Sequence, residues 1–154
     1  MKLSELIRQK RFASAGHEAV LNVMVTSSWL NGVMTASMAP FDITPAQYNV
    51  LRILRGSDPT KMTCSDVGSR LLDRTPDVTR LLNRLEAAHL ITRSRSRKDR
   101  RVVQVAISVA GRELLDRLEP VMTEMQEKMA RHLSESELGE LSSLLERLRT
   151  DQVA

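Results

Sequence analysis

Aromatic residues are almost missing: two Phe, one Tyr and one Trp make up 3% of 154 residues. Turn-formers are also few, with six Gly and five Pro. A β-sandwich or barrel draws on β-branched and aromatic side chains and on many turn residues. This composition instead points to a mostly helical chain. There is one cysteine, Cys64, so no internal disulfide can form, which fits a reducing, cytoplasmic setting. No apolar stretch reaches about 18 residues without polar interruption, so no membrane span is expected. The opening "MKLSELIRQKRF" lacks the apolar core and small-residue cleavage site of a signal peptide. A glycine phosphate loop, a nucleophile elbow and a pair of catalytic acids are all missing. An enzyme is therefore the weakest class, and no cofactor is expected. His17, His89 and His132 are scattered, with no Cys or carboxylate at ligand spacing, so no metal site is expected.

What is present is a 42% hydrophobic, 27% charged chain of single-domain length. Its formal charge of +4 is unevenly spread. The run "RSRSRKDRR", residues 93–101, holds six basic residues and one acid. The rest of the chain has 17 basic and 18 acidic residues. Basicity gathered in one place is what a polyanion-contacting element needs.

The helical signals are local and clear. Residues 13–38 read as one helix, with Ala15, Ala19, Val23, Leu30, Val33 and Met34 at rough 3–4 spacing and Pro40 as the stop. Few charges follow Glu18, so this helix should be buried or face a partner. In "DITPAQYNVLRILRG", Thr44 caps, Pro45 takes N1, Gln47 completes a capping box, and Ile43 with Tyr48 forms a staple. Gly56 is placed to close that helix in a left-handed conformation. Thr63 and Asp66 make a second capping box, with Met62 and Val67 as staple. Val67, Leu71 and Leu72 are expected on the buried side of a short helix, and "LLDRT" turns the chain. Thr75 and Pro76 are expected to start the next helix, with Asp77 in its first turn. There, Val78, Leu81, Leu82 and Leu85 form one apolar stripe.

Two short strands are expected at 90–93 and 101–107, the second from the alternation of Val103, Val105 and Ile107. The basic run is then a hairpin tip. Ser108 should cap a long helix with the stripe Leu114, Leu115, Leu118, Val121, Met122, Met125 and Met129, bent at Pro120. A capping box at Ser134 and Glu137 opens a last helix through Leu141, Leu144, Leu145 and Leu148.

Two short helices, a tight turn, a polar outward face and a hairpin describe a winged helix-turn-helix. On the second helix Thr75, Asp77, Thr79, Arg80, Asn83 and Arg84 are candidates for base and phosphate contacts in a major groove. Arg74, in the turn, is placed to reach phosphate, and Asp73 is expected to be structural. At the wing tip Arg95, Arg97, Lys98, Asp99, Arg100 and Arg101 are the candidates. Their cations suit a narrow minor groove or the flanking phosphates. Asp99 is expected to hold a guanidinium and so shape the tip.

In this order and spacing the motifs resemble the MarR (multiple antibiotic resistance regulator) family of transcription factors. The family's wing pattern, D-x-R, five residues, then Leu-Thr, reads here Asp99-Arg100-Arg101, "VVQVA", Ile107-Ser108, with two conservative departures. "TPDVTRLLNRLEAAHLITR" resembles the recognition helix and wing entry, and "ITPAQYNVLRIL" the helix before them. The resemblance runs from about residue 13 to 150. It implies a mainly α fold with a small β-hairpin: a winged helix-turn-helix DNA-binding lobe, 42–107, plus a helical dimerisation lobe, 1–41 and 108–154, within a single domain. It also implies a homodimer on a pseudo-palindromic double-stranded DNA operator, with half-sites roughly 10 bp apart. The expected role is a repressor released by a small-molecule effector. By the resemblance Arg101 orients the wing or contacts DNA. Trp29, Tyr48 and Arg52 are candidate effector-pocket residues, set against simple core packing. Cys64 is expected to be a small buried filler rather than a redox switch. The rival readings are a nonspecific nucleic-acid-binding protein and a module whose wing binds an acidic protein partner.

Overall fold

A computed structural model describes residues 2–73, 77–96 and 99–150. It forms two units, residues 1–115 and 116–154. In the first unit, short helix α1 (Leu3–Leu6) precedes α2 (Ala15–Met38), which ends in a 3-10 turn at Ala39–Phe41. Then come α3 (Pro45–Ser57), β1 (Met62–Thr63), α4 (Cys64–Ser69), α5 (Val78–Ala87), and strands β2 (Ile91–Arg95) and β3 (Val103–Ile107). Helix α6 (Val109–Ala130) starts in this unit, and its later turns, with α7 (Glu135–Leu148), belong to the second. Among the described residues, no helix is long and apolar enough to cross a membrane.

The capping signals place the short helices. Thr44 Oγ1 accepts the Gln47 N–H, and the Gln47 side chain accepts the Thr44 N–H at 2.9 Å. At α4, Thr63 Oγ1 donates to Asp66 Oδ2 at 2.7 Å and the Thr63 N–H donates to the same oxygen at 3.0 Å. These hydrogen bonds, the side-chain one foremost, hold the Asp66 carboxyl below its ordinary pKa. Both staple pairs, Ile43 with Tyr48 and Met62 with Val67, are buried.

Three departures from the sequence pattern have local causes. Gly56 lies inside the last turn of α3 and no described glycine has positive φ; the helix runs on to Ser57, with Asp58 at the C-cap. Leu72 is 87% exposed while Val67 and Leu71 are buried. Helix α4 stops at Ser69, so helical periodicity no longer directs Leu72 inward. Its N–H is instead taken by Asn49 Oδ1, on α3, at 3.0 Å. The described part of α5 begins at Val78 with Asp77 as N-cap, its Oδ1 accepting the Arg80 N–H at 3.1 Å. The expected cap, Thr75, lies with Pro76 outside the described residues.

The sheet is antiparallel in the order β1-β3-β2, with Ile91 opposite Ile107 and Met62 opposite Val105. The two-residue edge strand β1 carries no sequence signal of its own. The hairpin strands sit about two residues toward the tip relative to expectation at β2's end and begin later at β3. The core of this unit gathers Val50, Leu51 and Leu54 of α3, Leu82 and Leu85 of α5, and Val105 of β3, all within 2% of full burial. Burying each such side chain contributes about 1.5–3 kcal/mol before entropy is counted.

The junction from α5 to the hairpin and on to α6 is tightly fixed. The Leu90 N–H donates to Leu85 O and the His89 N–H to Glu86 O, both at 2.9 Å, with His89 at φ 59°. That is a Schellman closure, with His in the left-handed position usually given to Gly. Ser108 Oγ donates to His89 O at 2.7 Å and accepts the Gly111 N–H at 3.0 Å, so one hydroxyl ties the end of α5 to the start of α6. A Cβ on Gly111 would run into the Leu90 carbonyl oxygen and stand 2.8 Å from Ile107 Cγ1, so this turn of α6 requires glycine. Arg112 adds an ion pair to Asp58 at 3.0 Å.

In the second unit, Leu118, Met122 and Met125 of α6 are buried. Helix α6 is unbroken through Pro120. Helix α7 starts at the expected box, with Ser134 Oγ accepting the Glu137 N–H and the Ser134 N–H donating to Glu137 Oε2 at 2.7 Å. This holds the Glu137 carboxyl below its ordinary value. Leu141, Leu144 and Leu148 of α7 are exposed.

Candidate nucleic-acid interface

Helix α5 has two contrasting faces. Leu81, Leu82 and Leu85 are buried, while Asp77, Thr79, Arg80, Asn83 and Arg84 are exposed. The apolar face packs on α3, α4 and β2, so the backbone is anchored from behind. The polar face offers two guanidiniums, an amide and a hydroxyl on one rigid helix, a set able to donate to phosphates and base edges.

The hairpin that follows leaves the core toward its tip. Along β3, Ile107 and Val105 are 4% and 1% exposed, but Val103 is 44% exposed. Its pairing extends beyond the strands through the Ser96 N–H to Val102 O at 2.9 Å. Arg95, Asp99, Arg100 and Arg101 are exposed there. Among the described residues, the partner of the Asp99 carboxylate is a backbone N–H and not a guanidinium. Asp99 Oδ1 instead accepts the Arg101 backbone N–H at 2.9 Å, and its carbonyl accepts the Val102 N–H at 3.0 Å. A carboxylate two residues before a free N–H closes an Asx turn, the nearest local contact open to it. Arg97 and Lys98, like Arg74 and Thr75, lie outside the described residues.

Residues 41–102 match the MarR family model, a stretch that contains α3, α4, α5 and β2 and ends just before β3. The transcriptional repressor MdtR of Bacillus subtilis is 34% identical over 101 residues, covering 66% of this chain and 62% of MdtR. The chain thus spans less than two thirds of that relative's length. The crystal structure of a MarR transcription factor from Planctomyces limnophilus is 36% identical, with a TM-score of 0.68, and the match covers 88% of this chain and 98% of that one. The chain belongs to the MarR family. Staphylococcus aureus MepR, solved in its DNA-binding conformation, is also similar, at 25% identity and TM-score 0.70 over 87% of this chain and 97% of MepR.

Within this MarR-family chain, two of the three candidate effector residues meet. Arg52 donates to the Tyr48 hydroxyl at 3.0 Å, and its guanidinium carbon lies 5.9 Å from the ring centroid. Tyr48 is buried and Arg52 exposed, so the pair spans the surface of α3. Trp29, on α2, is 53% exposed. The expectation for Cys64 needs correction. It is half-buried and lines an open groove with Ser65, Gly68, Ser69 and Val78. Helix α4 is only six residues long and its apolar side reduces to Val67, which leaves Cys64 at the edge of the core.

Sequence reasoning missed Arg93. Its Nη2 donates to Asn83 Oδ1 at 2.8 Å and its Nε lies 3.4 Å from Glu86 Oε2. A strand residue thereby grips the outer face of α5. The residue stands in the basic run, but nothing local distinguishes it from the arginines at the tip. Lys61 likewise reaches Ser94 Oγ on β2 at 2.9 Å.

Proposed function

We propose that this chain is a homodimeric, sequence-specific double-stranded DNA-binding repressor, released from a pseudo-palindromic operator by a small-molecule effector. The observation that carries this reading is α5: a helix buried on its leucines, polar on its outer face, and followed at once by a basic hairpin. In this reading Arg80, Asn83, Arg84 and Thr79 meet bases and phosphates in the major groove, with Asp77 setting the helix start. Arg74 and Thr75 lead into that face. Arg95, Arg97, Lys98, Arg100 and Arg101 supply salt-sensitive affinity, and Asp99 shapes their turn. Residues 42–107 form the DNA-binding lobe, and 1–41 with 108–154 the dimerisation lobe. The repressor role is supported by the similarity to MdtR. A catalytic role has no constellation to support it, and a DNA-bound regulator works in the cytoplasm. The effector's site includes the Tyr48–Arg52 pair and Trp29, where a guanidinium beside an aromatic ring suits an anionic or phenolic molecule.

Dimerisation is supported by apolar surface that one chain leaves exposed. Val20, Val23, Met24 and Trp29 on α2, and Leu141, Leu144 and Leu148 on α7, are all more than a third exposed. Apolar stripes of this kind mark an interaction surface.

Selection of bound duplexes from a random pool tests the reading. Enriched sequences with dyad symmetry are expected, and Arg80→Ala should change the preferred bases at one position in each half-site. Equal affinity for every duplex would instead support a nonspecific binder. No duplex binding at low salt would support the acidic-partner module.

A further inference from the structure

The contact between Arg93 and Asn83 bears on which base α5 can read, and the inference drawn from it rests on the DNA-binding reading above. Asn83 is exposed on the outer face of α5, one turn beyond Arg80. A free asparagine is well suited to adenine, because its oxygen accepts from the adenine amino group while its nitrogen donates to N7. Here the oxygen is engaged. A guanidinium has no acceptor, so the atom that receives Arg93 Nη2 at 2.8 Å must be Oδ1. This fixes the orientation of the amide on chemical grounds. Arg93 is itself held from behind, since its Nε faces Glu86 Oε2 at 3.4 Å and its side chain is only 25% exposed. Two nitrogens of the one guanidinium are therefore engaged, each by a different side chain of α5. Among the described residues nothing accepts from Asn83 Nδ2.

We propose that Arg93 is a positioning residue that holds Asn83 as a hydrogen-bond donor toward the major groove, and so sets its base preference. An amide presented this way donates to guanine O6 or N7, or to thymine O4. Bidentate pairing with adenine is disfavoured, because the second lone pair of Oδ1 would have to accept an amino hydrogen while already bonded to a guanidinium. Base choice at one operator position thus depends on a strand residue that need not touch DNA.

The test compares duplex selection by the wild-type chain, Arg93→Met, Glu86→Gln and Asn83→Ala. Wild type is expected to favour guanine or thymine over adenine at the position that loses its preference in Asn83→Ala. Arg93→Met frees Oδ1 and should raise adenine at that position alone by about tenfold relative to guanine, the scale of one base-specific contact. Glu86→Gln loosens the arginine without removing it and should move the same position in the same direction by less; it carries the test if Arg93→Met fails to fold. A merely structural role would lower thermal stability and weaken all duplexes without changing base choice, and that result would overturn the proposal. A fall in salt slope with unchanged base choice would make Arg93 a phosphate contact and would overturn it too. If wild type enriches no sequence, the DNA-reading function itself fails; if it enriches one and Arg93→Met and Glu86→Gln enrich the same bases, only the positioning role fails.

Discussion

Helices α5 and α2 are both rich in apolar side chains, but only one of them finds a home for these within the chain. Helix α5 has ten residues and buries Leu81, Leu82 and Leu85. Helix α2 has 24 residues and buries only Met38, while Val20, Val23, Met24 and Trp29 stay exposed. The difference lies in what surrounds them. The stripe of α5 meets α3, α4 and the sheet, all supplied by neighbouring sequence. Much of α2, like α7 with its exposed leucines, lacks such cover in a single chain. The region around α5 is complete within one chain, whereas the exposed apolar side chains of α2 and of α7 are left for the second copy of the proposed dimer.

The largest effect should come from breaking the incomplete region. Leu141→Asp puts a carboxylate where the dimer reading places apolar contact, a cost of several kcal/mol, so the dimer should dissociate at least about 100-fold more readily. Sedimentation across a concentration series checks this, and α5 should keep its fold. Leu82→Ala tests the complete region. This residue is 1% exposed, and its truncation should cost about 2–5 kcal/mol in urea unfolding, with no change in oligomeric state beyond that loss. Arg95→Ala with Arg100→Ala should leave stability almost unchanged. It should weaken all duplexes alike and reduce the slope of log affinity against log salt by about 1 for each phosphate that the shortened side chains no longer reach. The smallest effect is a gain. His89→Gly relieves a non-glycine residue at φ 59° and should stabilise the chain by about 0.5–1 kcal/mol, read from its melting temperature.

These two regions also show how far local sequence reaches. Caps, staples and stripes involve residues three or four apart, so Thr44, Thr63, Ser134 and the leucines of α5 announce their elements directly. Distant pairings leave no such trace. Asn49 meets Leu72 across 23 residues, and Arg112 meets Asp58 across 54. Arg93 meets Asn83 across ten, through the closure at His89 that turns the chain back. Strand β1 exists only because β3 passes beside it. Asp99, in the basic run, is recognisable as an organiser, and its contact is local too, with its Oδ1 accepting the N–H two residues on. Spacing suggests a neighbouring guanidinium, whereas the Arg101 backbone N–H is closer to hand.

In the proposed complex, two copies of this chain read one symmetric duplex through their α5 faces. The most direct measurement is a titration of an enriched dyad duplex against the same duplex with one half-site scrambled, with the mass of each complex recorded. Two chains per duplex are expected, with a loss of affinity of at least about tenfold when one half-site is scrambled, since each mismatched base pair alone costs about 1–3 kcal/mol. One chain per duplex, or equal affinity for both duplexes, would contradict it.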